Sequence, residues 1–505
     1  MTPEAVDLLR EHSLPRAWRR RWRDRAGAVA LEVIGEEARR GLTRGDLDAR
    51  SAALAAGLNR RGVGRADRVL LALPPGWPLL LAHVAVLRLG AVAVPADPAL
   101  TRRELGHVLA QVEPSLAVVG DEHAGDVAAA GPRTPILEAD AVAELSAEPA
   151  ADIVLDQADG SDLAAIVFTS GTTATPRGAM LTHANLLAGA EVVRLAWRLG
   201  ENDGLVLALP WFHVHGLGLG VNGSLLAGAR LLVLPRFDAA AALDACERAD
   251  ATVFFGVPTM YARLAEVMRA SPRRAAAAAS LRLMVSGSAP LSVALWETVR
   301  ALCGQEVLER YGMTETMITV SNPHDGERRP GSIGLPLPGI ETRLIGDADG
   351  DGDAGQGELL VRGPTVFAGY WRRPEDRRAV VDAQGWMHTG DVVRRDPDGY
   401  LRVCGRRREL IITGGHNVHP REVEEVLELH PGVAEAGVAG RPSPEWGEEV
   451  IAHIVPADPA SPPSSRELDE WCRDRLAPYK RPRTFVVTER LPRNRMGKLQ
   501  RSRLR

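Results

Sequence analysis

The sequence predicts an α/β fold: a large N-terminal domain of parallel-type α/β sheets with a small β-barrel-like part, then a small, mobile C-terminal α+β domain. Three observations predict it. Short apolar runs of strand length alternate with amphipathic stretches through most of the chain. After about residue 330 the texture changes to short strands parted by Asp-Gly turns. Beyond Arg408 a second, smaller α/β pattern begins.

The elements follow in order. "RVLLAL" (68–73) reads as a buried strand, 78–90 as a helix ended by Gly90, and "AVAVP" (91–95) as the next strand. Segments 115–120, 164–170, 228–235, 251–258 and 281–287 repeat the apolar strand pattern. A helix is expected from about Thr182, whose hydroxyl can cap it. The last part predicts a helix in "HPREVEEVLELHP", strands in "VAEAGVAGRP" and "EEVIAHIVPAD", and a helix in "SSRELDEWCRDRLAP". The domains are placed at 1–407 and 408–505.

Composition narrows the function. Of 505 residues, 25% are charged and 45% hydrophobic, as in a water-soluble globular chain. A net charge of −4 argues against nucleic-acid binding through bulk electrostatics. Cys246, Cys303, Cys404 and Cys472 are far apart and form no C-x-x-C pair, which speaks against a zinc site and for a reducing, cytoplasmic setting. The apolar region 69–94 is interrupted by "PPGWP", His83 and Arg88, so it reads as core rather than a membrane insertion. The basic run 16–25 reads as a solvated helix face.

The stretch "FTSGTTATPRGAMLTH" (168–183) has the residue types that a phosphate-holding loop needs. Glycines let backbone N–H groups turn inward, hydroxyls add donors, Arg177 adds charge, and a following helix dipole favours an anion. It is not a Walker loop, because the sixth position from Gly171 is Pro176. No G-x-G-x-x-G follows a strand. Alone, such a loop is as often a plain surface loop.

Its company is specific. "LPWFHVHGLGLG" (209–220), "SGSAPLS" (286–292), "ERYGMTET" (309–316), "HTGD" (388–391), "GRRRELIITGGHNVHPREVE" (405–424) and "PRNRMGK" (492–498) follow in this order. With these motifs the chain resembles the adenylate-forming superfamily of acyl-CoA synthetases, adenylation domains and luciferases. The resemblance implies two half-reactions. A carboxylate attacks the α-phosphate of ATP with Mg²⁺ present, and a thiol, that of coenzyme A or of a carrier-protein phosphopantetheine, then takes the acyl group.

The same resemblance assigns residues. Thr169, Ser170, Gly171, Thr172 and Thr173 would cradle pyrophosphate, with Arg177 as the cation. Glu315, with Thr169, would hold the metal. Tyr311 would stack on adenine, with Ser288, Ala289 and Pro290 at the ring edge, and Glu309, Arg310, Gly312 and Thr314 complete the nucleotide set. Asp391 would accept from the ribose, beside Arg406. Lys498 would bridge carboxylate and α-phosphate oxygens in the transition state. Arg408 is the implied hinge, and Gly414, Gly415 and His416 would line the pantetheine tunnel. His213 matches a gate between acyl and thiol channels, and His215 stays undecided between function and core. The loop departs from the family form at Ala174 (for Gly) and Arg177 (for Lys).

The acid is the open part. At 100° per residue, Arg263 lies between Met260 and Val267, so it is expected within an apolar face, where a cation needs an anionic partner. "GVPTMYAR", "SGSAPL" and the stretch around "ERYGMTET" are similar to malonyl-CoA synthetases, in which an arginine and a serine matching Arg263 and Ser288 hold the distal carboxylate of malonate or methylmalonate. "MITVSN" replaces an Asn-containing stretch of that subgroup, which leaves a longer or monocarboxylic acid, fatty or aryl, in play. An impaired homologue acting only as a binding protein is disfavoured by Glu315, Asp391, Arg406 and Lys498 being present together.

Overall fold

The structure is a computed structural model and describes residues 13–35, 41–149, 153–169, 176–248, 250–346, 355–494 and 497–504. Two large sheets build the N-terminal domain. One has nine strands. Its centre runs Leu308–Tyr311, Leu283–Ser286, Val253–Gly256, Gly204–Leu207, Arg230–Val233 and Val29–Val33, all neighbours parallel. The other has seven, with Val92–Pro95, Arg68–Ala72, Leu116–Val119 and Ile136–Glu138 parallel and the hairpin Leu163–Thr169 with Arg177–Thr182 at one side.

The parallel strands are mostly apolar because helices cover both faces, and Leu308–Tyr311, with Glu309 and Arg310, departs from this. Strand Arg68–Ala72 is buried from Val69 onward, and helix Trp77–Leu89 leads from it into strand Val92–Pro95. That helix ends at Gly90 with φ 77°, the left-handed cap that glycine adopts without a Cβ clash. Thr182 caps helix His183–Ala196 with a reciprocal bond to Asn185, as expected.

The barrel-like part is a four-stranded antiparallel sheet of Glu341–Ile345, Gln356–Arg362, Met387–Arg395 and Leu401–Arg406. The smaller C-terminal domain has its own core. Strands Val433–Ser443 and Gly447–Pro456 pair antiparallel, Thr484–Val487 adds a parallel edge, and helices Pro420–Glu428 and Ser465–Arg473 pack through Val423, Leu427, Leu468 and Cys472. Among the described residues no helix is long and apolar enough to cross a membrane.

Two expectations need correction. The basic run does form a helix, Leu14–Asp24, with Arg16, Arg20, Arg21 and Arg23 exposed, but the helix is not solvated all round: Trp18 and Trp22 are fully buried, and Arg19 pairs with Asp48 at 3.1 Å and Asp156 at 2.7 Å. The indoles carry enough apolar area to dock the helix while its arginines stay at the rim. The phosphate stretch does not run straight into a helix. Strand Arg177–Thr182 intervenes and folds back antiparallel on Leu163–Thr169, so the helix from His183 starts at the end of that strand pair opposite to Thr169 and Arg177.

Candidate active site

The carboxyl ends of the parallel strands of the nine-stranded sheet deliver most of the expected residues, the place where α/β sheets open a crevice. Strand Leu308–Tyr311 presents Tyr311, whose hydroxyl donates to Asp391 Oδ2 at 2.5 Å. Arg406 Nε meets Asp391 Oδ1 at 3.0 Å, because the two residues face each other across adjacent antiparallel strands. Burial and the Asp391 charge push the Tyr311 phenol well above its ordinary value, so it stays a donor. Gly312 follows directly. A Cβ there would stand 2.0 Å from the Met317 carbonyl, so the loop carrying Thr314 and Glu315 closes only over glycine.

Glu315 is buried, and Tyr370 donates to its Oε1 at 2.8 Å. The ring of Tyr370 lies 5.3 Å from the Arg177 guanidinium, which also pairs with Asp376 at 3.4 Å. Thr169 Oγ1 donates to the Arg177 carbonyl at 3.3 Å. The structure therefore joins the metal-ligand candidate to the phosphate-loop cation through Tyr370. Ser170, Gly171, Thr172 and Thr173, with Ala174, lie outside the described residues. Among the described residues no group of three or more His, Cys, Asp or Glu forms a metal cage. A single carboxylate beside a phosphate loop fits Mg²⁺, which takes one or two protein carboxylates and completes its shell with phosphate oxygens and water.

The next cluster sits around Ser288, which follows strand Leu283–Ser286. Its φ is +70°, left-handed backbone that costs a serine on the order of 1 kcal/mol. Its Oγ lies 3.1 Å from His215 Nδ1. His215 is buried, and burial first and Arg310 second hold its pKa well below the ordinary value, so the ring is neutral. Arg310 lies against Gly287: a Cβ added there would stand 2.4 Å from Nε. The Arg310 side chain is buried, and its Nε and Nη2 have no hydrogen-bond partner in the protein. Glu309 cannot supply one, since successive strand residues point to opposite faces. Glu309 instead accepts from the Leu291 N–H at 3.0 Å, and burial lifts its pKa to about 7. Burial brings Arg310 down to about 9. Ala289 and Pro290 link Ser288 to Leu291.

Arg263 is not held within a buried apolar face. Helix Pro258–Ala270 buries Met260, Tyr261, Leu264, Ala265 and Met268, an arc that starts at Met260 and runs away from Arg263. Arg263 lies about 60° outside that arc and is exposed, so it needs no anion in its own fold. His213 is half-buried just before a π-helix, Val214–Val221, and burial lowers its pKa to about 4.

The C-terminal domain brings Gly497 against the start of helix Pro258–Ala270. A Cβ at Gly497 (φ +73°) would meet Thr259 Oγ1 at 2.9 Å, so Lys498 sits beside that helix. Gly414, Gly415 and His416 are exposed, with φ +55° and +80° at the glycines and the His416 ring stacked 4.4 Å from Tyr479. Arg408 lies in the 3-10 turn Arg407–Glu409, which follows strand Leu401–Arg406 of the four-stranded sheet. Sequence reasoning passed over Tyr370 and Asp376. "AGYWRRPED" carries no spacing signal, and only the pairing of Gly369–Tyr370 with strand Arg177–Thr182 brings these residues to the loop.

The chain belongs to the AMP-binding enzyme family: residues 18–371 match the AMP-binding enzyme domain and 422–498 its C-terminal domain. Within that family it is an AMP-forming acyl-CoA ligase. It is 38% identical to a feruloyl-CoA synthase from an Amycolatopsis species over 92% of this chain and 93% of that one. It is similar to the ATP-bound structure of MatB from Rhodopseudomonas palustris, with a TM-score of 0.91 and 35% identity over 98% of both chains. Against a malonyl-CoA ligase in a product complex with methylmalonyl-CoA and AMP, identity is 40% over 92% of this chain and 96% of that one, and the TM-score is 0.68.

Proposed function

We propose that the chain is an ATP-dependent ligase that activates a short dicarboxylic acid, malonate or methylmalonate, as its acyl-adenylate and transfers the acyl group to coenzyme A. One observation carries the choice of acid. Arg310 is a buried cation with unmade hydrogen bonds, next to Ser288 and neutral His215. A buried unpaired guanidinium is costly, and a planar carboxylate relieves that cost by accepting two parallel bonds. The distal carboxylate of a C3 diacid supplies such a group, and Ser288 Oγ can add a third donor. An aryl or fatty acid, as a relation to a feruloyl-CoA synthase would suggest, leaves Arg310 unpaired.

The steps follow from charge. ATP binds with Tyr311 against adenine and Asp391, oriented by Arg406, accepting from the ribose. Thr169 to Thr173 and Arg177 hold the leaving pyrophosphate. Glu315 would hold Mg²⁺, which spreads negative charge from the phosphates. Lys498 neutralises the oxygens shared between carboxylate and α-phosphate as the bond forms. The domain beyond the boundary at 407/408 then turns about Arg408, withdraws Lys498 and brings Gly414, Gly415 and His416 to the thiol path past His213. The higher TM-score to the ATP-bound relative than to the product complex supports the present arrangement as the adenylating one. A carrier-protein phosphopantetheine offers the same thiol chemistry as coenzyme A. Four free cysteines support a cytoplasmic location.

A carboxylic-acid panel in a pyrophosphate-release assay tests the reading, with and without coenzyme A. Malonate or methylmalonate should lead, and Arg310→Met should cut kcat/KM on it by about 2–5 kcal/mol. Octanoate or ferulate leading in the parent enzyme would overturn the assignment.

A further inference from the structure

The C-terminal tail that carries Lys498 is fastened at three places, through Arg493, through the Lys498 backbone and through Arg501. On one side, Arg493 Nη1 donates to the Gly497 carbonyl at 2.7 Å, the carbonyl of the peptide that leads into Lys498. Its Nη2 pairs with Glu435 at 2.7 Å on strand Val433–Ser443. In the middle, Asn494 N–H donates to the Lys498 carbonyl at 2.9 Å, and Lys498 N–H donates to Asn494 Oδ1 at 2.9 Å. On the far side, Arg501 donates to Glu409 Oε2 at 2.9 Å, Glu424 Oε2 at 3.0 Å and the Val438 carbonyl at 2.8 Å. Glu424 is buried, and its other oxygen accepts from Arg501 as well. Leu504 closes the tail by packing into the same domain with Leu491 and Ile451.

A lysine side chain has four rotatable bonds, so where its ammonium can reach is set first by where its backbone is held. Arg493 fixes the peptide orientation at Gly497. Arg501 fixes the tail to helix Pro420–Glu428 and to Glu409, the residue after Arg408. Any turn about that hinge therefore carries Lys498 as a rigid arm.

We propose that Arg493 and Arg501 are positioning residues that aim Lys498 into the adenylating site, and that their loss slows the first half-reaction while sparing the second. The proposal rests on the reading that Lys498 serves adenylate formation. A bare structural role would lower both half-reactions together, because both need the domain folded.

The test measures the two half-reactions separately, with the acid that the parent enzyme turns over fastest. Adenylate formation is followed by pyrophosphate release, and thioester formation starts from acyl-adenylate supplied from outside. Arg493→Met should lower the adenylate rate on the order of 10–100-fold, the scale of a misplaced catalytic group, with the KM for ATP unchanged. Thioester formation should stay at the parent rate, and Arg493→Lys should recover part of the loss. For the far side, Arg501→Met is made together with Glu424→Gln, so that no buried carboxylate is left unpaired, and should show the same split. Equal loss in both half-reactions, or no loss at a preserved Tm, overturns the proposal. Lys498→Ala is run in parallel: if it leaves adenylate formation intact, the reading of Lys498 fails. If it abolishes that step while the Arg493 and Arg501 variants do not slow it, the positioning role alone fails.

Discussion

Arg177 is half-buried beside Asp376 and over the Tyr370 ring. In this geometry Asp376 and a bound pyrophosphate would compete for one guanidinium. A partly exposed pair of this kind is worth about 0.2–1 kcal/mol. Asp376→Asn should therefore lower the KM for ATP by up to about fivefold. A raised KM would show instead that Asp376 aims Arg177 at the phosphates. Replacing Ala174 with Gly and Arg177 with Lys should also lower the KM or raise kcat, and initial rates at varied ATP check it. The same physics separates the two arginines that are candidates for holding the acid. Arg263 is exposed, so Arg263→Ala should cost malonate kcat/KM about 1 kcal/mol or less, well below the loss from buried Arg310. Arg263 stood out in the sequence through helical spacing, and Arg310 only as part of a motif. Burial depends on which strand face a neighbouring element covers, and a local window does not contain that.

At the scale of elements, period and capping carried most of the reading. The strands at 68–72, 92–95, 116–119, 253–256 and 283–286 and the caps at Gly90 and Thr182 were legible because each is set by its own residues. Strand Arg177–Thr182 was not, since its six residues pair across a loop and owe their state to strand Leu163–Thr169. Helix packing also creates a pH dependence that no window shows. His83 on helix Trp77–Leu89 and His183, which opens helix His183–Ala196, are both buried, and burial holds each near pKa 4. His83 Nε2 meets Asn222 Oδ1 at 3.0 Å, while both ring nitrogens of His183 lack a partner. The unfolded chain binds protons at these rings near pH 6.5 and the folded chain only near 4. Stability should therefore be lost as pH falls through that window, at about 1.4 kcal/mol per pH unit for each ring. Thermal unfolding between pH 7 and 4 checks it, and His183→Gln should flatten the slope by one ring's share. An unchanged slope would mean that His183 is protonated in the fold.

At the scale of the molecule, two domains meet where Gly497 touches Thr259, and that contact makes their arrangement testable. A Cβ built on Gly497 lies 3.6 Å from the Thr259 Cβ, inside the range that a disulfide spans. Thr259→Cys with Gly497→Cys should thus form a bond on oxidation. The cost is on the order of 1 kcal/mol for a side chain at the left-handed φ of +73°. Three of the four native cysteines are buried, and Cys404 can be changed to Ser first. If the present arrangement is the one that makes the adenylate, the oxidised enzyme should release pyrophosphate in a single burst and then stall. Lys498 would then be held in place, and the thiol would find no path past it. Reductant should restore thioester formation in full. Steady turnover by the oxidised enzyme would show that coenzyme A reaches the adenylate without any turn about Arg408, and the two-step scheme would have to give way to one fixed arrangement serving both reactions.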